Sequence, residues 1–237
     1  MAKKVIDEAD IIIMVLDARH ANESVQQRLK LFVGDKKIIY VVNKIDLVDR
    51  LLVRIPHSIQ VSATQHLNTM KLLRKIMQLG HGEKVTVGVI GYPNTGKSTL
   101  INALKGKHSA STSSQSGHTK GIQKVRISEK IVLIDTPGVI DRDDTEEKLS
   151  AISAIDPSKV KDPAVSATQL IDMLKDRFSR SFDIIADDSY DMLEQLARQH
   201  NMLKKGGEPD VQRMGTYLLR KYQQGKLFAK QDKDSRR

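Results

Sequence analysis

Apolar residues follow two rhythms along this chain. In its first part they come as short unbroken runs, at Ile11 to Leu16 between Asp10 and Asp17, at Lys37-Ile-Ile-Tyr-Val-Val42, at Val85 to Ile90 and at Lys130 to Asp135. Runs without alternation suit strands covered by helices on both faces, where neither side of the sheet meets water. Ser58 to Val61 and Ile122 to Ile127 are shorter strand candidates, with a turn at Ser128-Glu129 before the last strand. Val5 to Asp10 reads as a helix end or an entry turn. Helical spacing appears at Val25, Leu29 and Phe32, closed by Gly34, and again from Leu67 to Leu79, closed by Gly80-His81-Gly82.

After about Asp141 the strand runs stop. Lys148 to Ile155, Ser166 to Phe178, Ser189 to His200 and Asp210 to Tyr222 carry apolar residues at helical spacing. Ser166, Ser189 and Asp210 are the candidate N-caps and Gly225 a candidate C-cap. The pattern predicts an α/β domain over residues 1–145, with a mostly parallel sheet in three layers. An all-α domain over 146–237 follows it. Functional residues of such a sheet are expected at the carboxyl ends of its strands.

Composition narrows the class. The 237 residues include no cysteine, which excludes disulfides and cysteine-ligated metals and fits a reducing compartment. The longest apolar run is far too short to span a bilayer, and the N-terminus does not read as a signal peptide, so a soluble cytoplasmic protein is expected. A formal net charge of +10 favours a polyanionic partner. Its distribution is uneven: residues 1–80 carry +5, 81–145 +3, 146–203 −4 and 204–237 +6.

The strongest chemical signal is Gly91-Tyr92-Pro93-Asn94-Thr95-Gly96-Lys97-Ser98-Thr99. It follows a strand and opens a helix through Leu100, Ile101 and Leu104. Consecutive backbone N–H groups and the positive end of the helix dipole converge there on an anion. Lys97 reaches the β- and γ-phosphates, and the Ser98 hydroxyl is a ligand for Mg²⁺. This loop predicts a bound nucleoside triphosphate.

Further segments add to it. Asn43-Lys44-Ile45-Asp46 ends the second strand. An Asp46 carboxylate there can accept from guanine N1–H and the 2-amino group, Asn43 can reach N7, and the Lys44 methylenes can cover the base plane. Ser62-Ala63-Thr64 ends the third strand and offers the Ala63 N–H to guanine O6. The pentapeptide Val-Ser-Ala-Thr-Gln recurs at 165–169, but without a strand before it, and that copy reads as an N-cap. Asp135-Thr136-Pro137-Gly138 ends a buried strand; Asp135 is placed for Mg²⁺, through a water, and the Gly138 N–H for the γ-phosphate. Residues Lys107 to Lys120 read as a mobile loop, in which Thr119 is the second hydroxyl candidate for Mg²⁺.

These segments are the motif set of a GTPase in an unusual order: guanine reader, Ser-Ala, phosphate loop, switch threonine, Asp-x-x-Gly. Over residues 10–140 the chain resembles circularly permuted GTPases, with Gly80-His81-Gly82 joining the termini of an unpermuted domain. Within that class it resembles the ribosome biogenesis GTPase A group (YlqF/RbgA and relatives). Leu203-Lys204-Lys205-Gly206-Gly207-Glu208-Pro209-Asp210, Tyr217-Leu218-Leu219 and Gln224-Gly225-Lys226-Leu227 resemble that group's C-terminal helical domain, and Gly117-His118-Thr119-Lys120-Gly121 its switch I. The resemblance implies a circularly permuted P-loop G domain and GTP-dependent maturation of the large ribosomal subunit. The basic surfaces would bind rRNA, and the protein is expected to act as a monomer.

Hydrolysis is expected to be slow. Where many GTPases carry a water-orienting Gln after Asp-x-x-Gly, this chain has Val139. Asn94 is the candidate to hold a K⁺ ion beside the phosphates, as in GTPases of similar loop sequence. The group it resembles has a Gly-His-Met segment near the N-terminus, whose histidine is implicated in catalysis. This sequence opens Met1-Ala2-Lys3-Lys4, and His118 is the substitute candidate. The acidic stretch after Gly138 predicts coupling between switch II and the helical domain. An ATP-using P-loop enzyme is the first alternative, against which the Asn43–Asp46 segment argues. The other is a GTP-dependent RNA-binding switch with little hydrolysis, acting on the small subunit or tRNA.

Overall fold

The computed structural model describes residues 2–25, 31–48, 55–106, 122–140 and 143–228. The candidate helix at 25–32 falls largely outside these residues. So do the Lys107–Lys120 loop with His118 and Thr119, part of the acidic stretch after Gly138, and the tail beyond Phe228. The chain divides into two compact units at Asp141/Arg142.

The first unit contains α1 (Ala2–Glu8), β1 (Ile11–Asp17), β2 (Lys37–Asn43), β3 (Ile59–Gln60), α2 (Thr69–Leu79), β4 (Val85–Ile90), α3 (Lys97–Lys105), β5 (Gln123–Arg126) and β6 (Ile131–Asp135). Its sheet runs β3-β2-β1-β4-β6-β5. All neighbours are parallel except β5, which returns antiparallel beside β6. β1 is buried along its whole length, as its unbroken apolar run requires. Successive side chains alternate faces. Ile11, Ile13 and Val15 share a core with Leu72 and Ile76 of α2 and Leu100, Ile101 and Leu104 of α3. Ile12, Met14 and Leu16 pack on the other face with Ile6 of α1 and Ile90. The sheet is therefore covered on both sides.

From β1 the chain steps outward to β2 and β3; from β4 it steps the opposite way to β6. Such a reversal opens a crevice beyond the carboxyl ends of the two central strands. Gly88, inside β4, leaves room for α1 on that face of the sheet, because a Cβ would sit 3.0 Å from both Ile12 Cδ1 and Val5 Cγ1.

Between α2 and β4 the chain turns tightly at Gly80-His81-Gly82. The Gly80 N–H donates to the Ile76 carbonyl at 2.9 Å and the Gly82 N–H to the Met77 carbonyl at 3.1 Å. Lys130 Nζ donates to the Gly82 carbonyl at 2.6 Å. A Cβ on Gly80 would meet Val85 Cγ1 at 2.5 Å. This joint is short and packed.

The second unit is helical: α4 (Glu146–Ala151), α5 (Pro163–Met173), α6 (Lys175–Phe182), α7 (Ser189–Gln199) and α8 (Val211–Gln223). Leu170, Ile171, Phe178, Leu193, Leu196, Met214, Leu218 and Leu219 share its core. Asp210 caps α8 as expected, accepting from the Arg213 N–H at 3.0 Å. Two predicted caps are corrected. Asp162, not Ser166, caps α5, accepting from the Ala164 and Val165 N–H groups, each at 3.1 Å. Pro163 takes the first helical position, where its missing N–H costs nothing, and Ser166 lies inside the helix, 1% exposed. Asp188, not Ser189, caps α7, accepting from Tyr190 and Asp191 N–H at 2.8 Å each; the Ser189 hydroxyl instead donates to Asp172. The predicted helix over Ser166–Phe178 breaks at Leu174. At the end of α8, Gln224 is the cap and Gly225 follows at φ +69°. No helix among the described residues is long and apolar enough to cross a membrane.

Candidate functional site

The carboxyl edge gathers the sequence candidates that the structure describes. β4 ends into the Gly91–Gly96 loop, and α3 begins at Lys97. Gly91 has φ +147°, and a Cβ there would press on the Val15 carbonyl oxygen at 2.4 Å. Gly96 has φ +91°, and its Cβ would meet Asn43 Nδ2 at 2.4 Å. Both positions need glycine, one for passage over β1 and the other for contact with the segment after β2. Thr95 closes the loop from within, its hydroxyl donating to the Tyr92 carbonyl at 2.9 Å.

Lys97 folds back over this loop. Its ammonium donates to the Gly91 carbonyl at 3.1 Å and the Tyr92 carbonyl at 2.8 Å, and the residue is 7% exposed. Burial pushes the ammonium down to about 8, while the Asp135 carboxylate opposes that and Lys44 adds to it. A phosphate entering the loop would give this cation a stronger partner than two neutral carbonyls. Ser98 Oγ donates to Asp135 Oδ2 at 3.0 Å. Two hard oxygen ligands from separate elements are thus adjacent at the loop, a donor set that fits Mg²⁺ when phosphate oxygens and water complete it. Among the described residues no group of three or more His, Cys, Asp or Glu side chains could hold a metal; a site shared with a nucleotide does not need one. Thr99 lies half-buried on the first turn of α3.

The Asp-x-x-Gly segment lies directly on the loop. Thr136 Oγ1 donates to the Val89 carbonyl at 2.8 Å and the Val139 N–H to the Gly91 carbonyl at 3.1 Å. At Gly138 a Cβ would come within 2.6 Å of Pro93 backbone atoms. Val139 packs partly against the α1-side core.

The Asn43–Asp46 segment meets the loop from the other side. Asn43 Nδ2 donates to the Thr95 carbonyl at 3.0 Å, and Asn43 Oδ1 accepts from the Ala63 N–H at 3.1 Å. One buried amide therefore ties the phosphate loop, β2 and the Ser62-Ala63 turn together. The Ala63 N–H assigned above to guanine O6 is engaged by Asn43 in this structure. The Ser62 and Thr64 hydroxyls lie 3.2 Å apart, with Ser62 buried and Thr64 exposed. Lys44 takes a left-handed φ of 64°, and its ammonium donates to the Asn94 carbonyl. Asn94 is exposed at the loop tip with φ 62°. Asp46 is exposed at the mouth, in the 3-10 turn Ile45–Leu47.

Sequence reading treated Asp17 only as a boundary of the first strand and missed its cluster. At the end of β1, Asp17 accepts from Arg19 Nε at 2.9 Å and Arg19 Nη2 at 2.7 Å, and from Lys44 Nζ at 2.8 Å. His20 Nε2 lies 4.0 Å away. Burial pushes the Asp17 carboxyl up, but His20, Arg19 and Lys44 together hold it well below the usual carboxylate range. The sequence shows only that Asp17 ends one buried run as Asn43 ends the next; the structure sets the two in register across the parallel pair β1–β2.

A mostly parallel sheet with a glycine-bounded loop opening α3, and Ser98 meeting Asp135 at that loop, is the architecture of a P-loop nucleotide-binding domain. Comparison with known proteins agrees. Residues 86–203 match the family described as 50S ribosome-binding GTPase. The chain is 36% identical over 248 residues to the GTP-binding protein MJ1464 of Methanocaldococcus jannaschii, covering 96% of this chain and 65% of that protein. It is 33% identical to nucleolar GTP-binding protein 2 of Candida glabrata, over 94% of this chain and 50% of that protein. The chain thus spans between half and two thirds of the length of these relatives. Among solved structures, YlqF of T. maritima with GNP bound aligns at a TM-score of 0.60 and 24% identity, covering 94% of this chain and 92% of that one. A GDP-bound YlqF structure aligns at 0.59 and 22%. At that identity the likeness is one of fold. This chain carries a P-loop GTPase domain whose homologues are GTP-binding proteins and whose structural neighbours are YlqF.

Proposed function

We propose that this chain binds GTP, hydrolyses it slowly to GDP and phosphate, and acts through GTP-dependent rRNA binding in assembly of the large ribosomal subunit. The observation that carries the nucleotide part is the Asn43 bridge. A segment able to read guanine is hydrogen-bonded to the loop able to hold the phosphates, although it comes before that loop in the chain. This motif order supports a circularly permuted G domain. Asp46 would accept from guanine N1–H and the 2-amino group, the Lys44 stem would cover the base, and Asn43 retains a second amide hydrogen for N7. Lys97 and the Gly138 N–H would meet the terminal phosphates. Ser98 and Asp135 would hold Mg²⁺, with Thr119 as a further ligand; the ion would neutralise charge on the β- and γ-oxygens.

The names of the relatives support the ribosomal part: a 50S ribosome-binding family and nucleolar GTP-binding proteins. The basic segments supply the charge for an RNA partner. Two experiments test the reading. Competition of GTP, ATP and XTP for the protein should show guanine preference, and equal binding of ATP would overturn it. Sedimentation of the protein loaded with a GTP analogue should recover it with isolated large subunits, and recovery only with small subunits or tRNA would redirect the target.

A second reading is favoured by Val139, which offers no side-chain hydrogen bond to an attacking water. On that reading the chain is a GTP-dependent RNA-binding switch with little hydrolysis, acting on the small subunit or tRNA. Asn94 is the proposed K⁺ ligand, and turnover equal in KCl and NaCl, with and without subunits, would remove that role. We also propose that the protein works as a cytoplasmic monomer.

A further inference from the structure

The cluster at the end of β1 contains more positive charge than its carboxylate needs. Arg19 alone neutralises Asp17 in a fork geometry, with Nε at 2.9 Å, Nη2 at 2.7 Å and its backbone N–H at 3.1 Å. Lys44 nonetheless adds a second cation at 2.8 Å, from a turn far away in sequence. Asp17 is 1% exposed. Burying a further ammonium costs solvation that a well-packed apolar side chain would avoid, so stability alone is a weak reason for it.

The destination of Lys44 supplies a better reason. Its ammonium also donates to the Asn94 carbonyl at the tip of the phosphate loop. One group therefore joins the ends of β1 and β2 to that loop. Asn43 makes the neighbouring connection to Thr95, so the base side and the phosphate side are fastened at two successive loop carbonyls. Without Asp17, a lysine stem with a solvated head would leave this position, because long cationic side chains seek water. The left-handed backbone at Lys44, φ 64°, starts the side chain along its present course.

We propose that Asp17 is a positioning residue for guanine-nucleotide binding. It acts through Lys44, whose anchored ammonium keeps the methylenes over the base plane and holds the Asn94 carbonyl, and so the tip of the phosphate loop. Arg19 keeps the carboxylate in place and ionised. Asp17 touches neither base nor phosphate. The inference rests on the reading of Asn43–Asp46 as the guanine reader.

A double-mutant cycle tests it: wild type, Asp17→Asn, Lys44→Met and the double variant, with GDP and ADP dissociation constants measured calorimetrically and urea unfolding on the same samples. Asp17→Asn should weaken GDP binding by about tenfold or more, in the range found for residues coupled through a shared contact. The change should raise KM for GTP much more than it lowers kcat. In the Lys44→Met background the same substitution should have no further effect on GDP binding. GDP affinity unchanged in Asp17→Asn, or losses that add in the double variant, would overturn the proposal. A wild type that binds ADP as tightly as GDP would instead overturn the guanine-reader reading beneath it. If Asp17→Asn does not fold because the Arg19 guanidinium is stranded, Asp17→Asn/Arg19→Leu replaces it in the cycle under the same criteria.

Discussion

Lys97 shows how a buried cation can make nucleotide binding depend on pH. Burial lowers its ammonium to about 8 in the nucleotide-free chain, and bound phosphates would raise it again. Binding above pH 8 must then include proton uptake. The expected result is a GDP affinity flat from pH 6.5 to about 7.5, falling toward about tenfold per pH unit above 8. Titration in magnesium-free buffer checks this, and Lys97→Met should bind weakly with no such slope. Stability runs the other way. The folded chain releases this proton near 8 and the unfolded chain near 10.5, so the nucleotide-free protein gains stability from Lys97 as pH rises between those values. At this scale the sequence singled out candidates local to a strand end or a glycine loop, Lys97, Ser98, Asn43 and Asp135, and the structure brings them to one edge of the sheet. Asp17 escaped because its meaning lies in partners, and Lys44 reaches it only when β1 and β2 pair in parallel.

Helix boundaries illustrate what periodicity misses. Apolar spacing located α5, α7 and α8, but their starts were set by Asp162, Asp188 and Asp210, whose carboxylates accept the first free N–H groups. An Asp-Pro pair outranked Ser166 because proline fixes the entry conformation before the apolar stripe begins. The strands were easier to read, since an unbroken run such as Ile11 to Leu16 has no other comfortable place than the middle of a covered sheet. Packing between α5 and α8 was not readable at all. A Cβ on Gly215 would lie 2.4 Å from the Pro163 carbonyl oxygen and 2.6 Å from its carbon. For Gly215→Ala, helix propensity alone predicts a gain of about 1 kcal/mol. The clash is with backbone, which cannot rotate away, and overpacking of this kind costs about 1–3 kcal/mol. The clash should win, lowering the urea midpoint of the full-length chain; a raised midpoint would mean that the two helices separate freely.

For the whole molecule, the net charge of +10 belongs mainly to residues 1–145 and to the segment after Leu203. If RNA is the partner, the logarithm of affinity should fall linearly with the logarithm of salt concentration. Lys204→Ala/Lys205→Ala should lower that slope by up to about two if both exposed lysines meet phosphates. Filter binding across a salt series measures it, and an unchanged slope would put the RNA elsewhere. The α/β then all-α layout was legible because the two hydrophobic periods differ so clearly, whereas contacts between distant segments were not. The packed joint at Gly80–Gly82 has a practical consequence of its own. On the proposed function, a cut there would separate the fragment carrying Asn43–Asp46 from the one carrying the Gly91–Gly96 loop, each ending in compact structure. They would be matched by the β1–β4 edge and the Asn43–Thr95 bond. Neither fragment would retain a nucleotide alone. Fused to two other proteins, they would form a split reporter in which GTP clamps the pieces together.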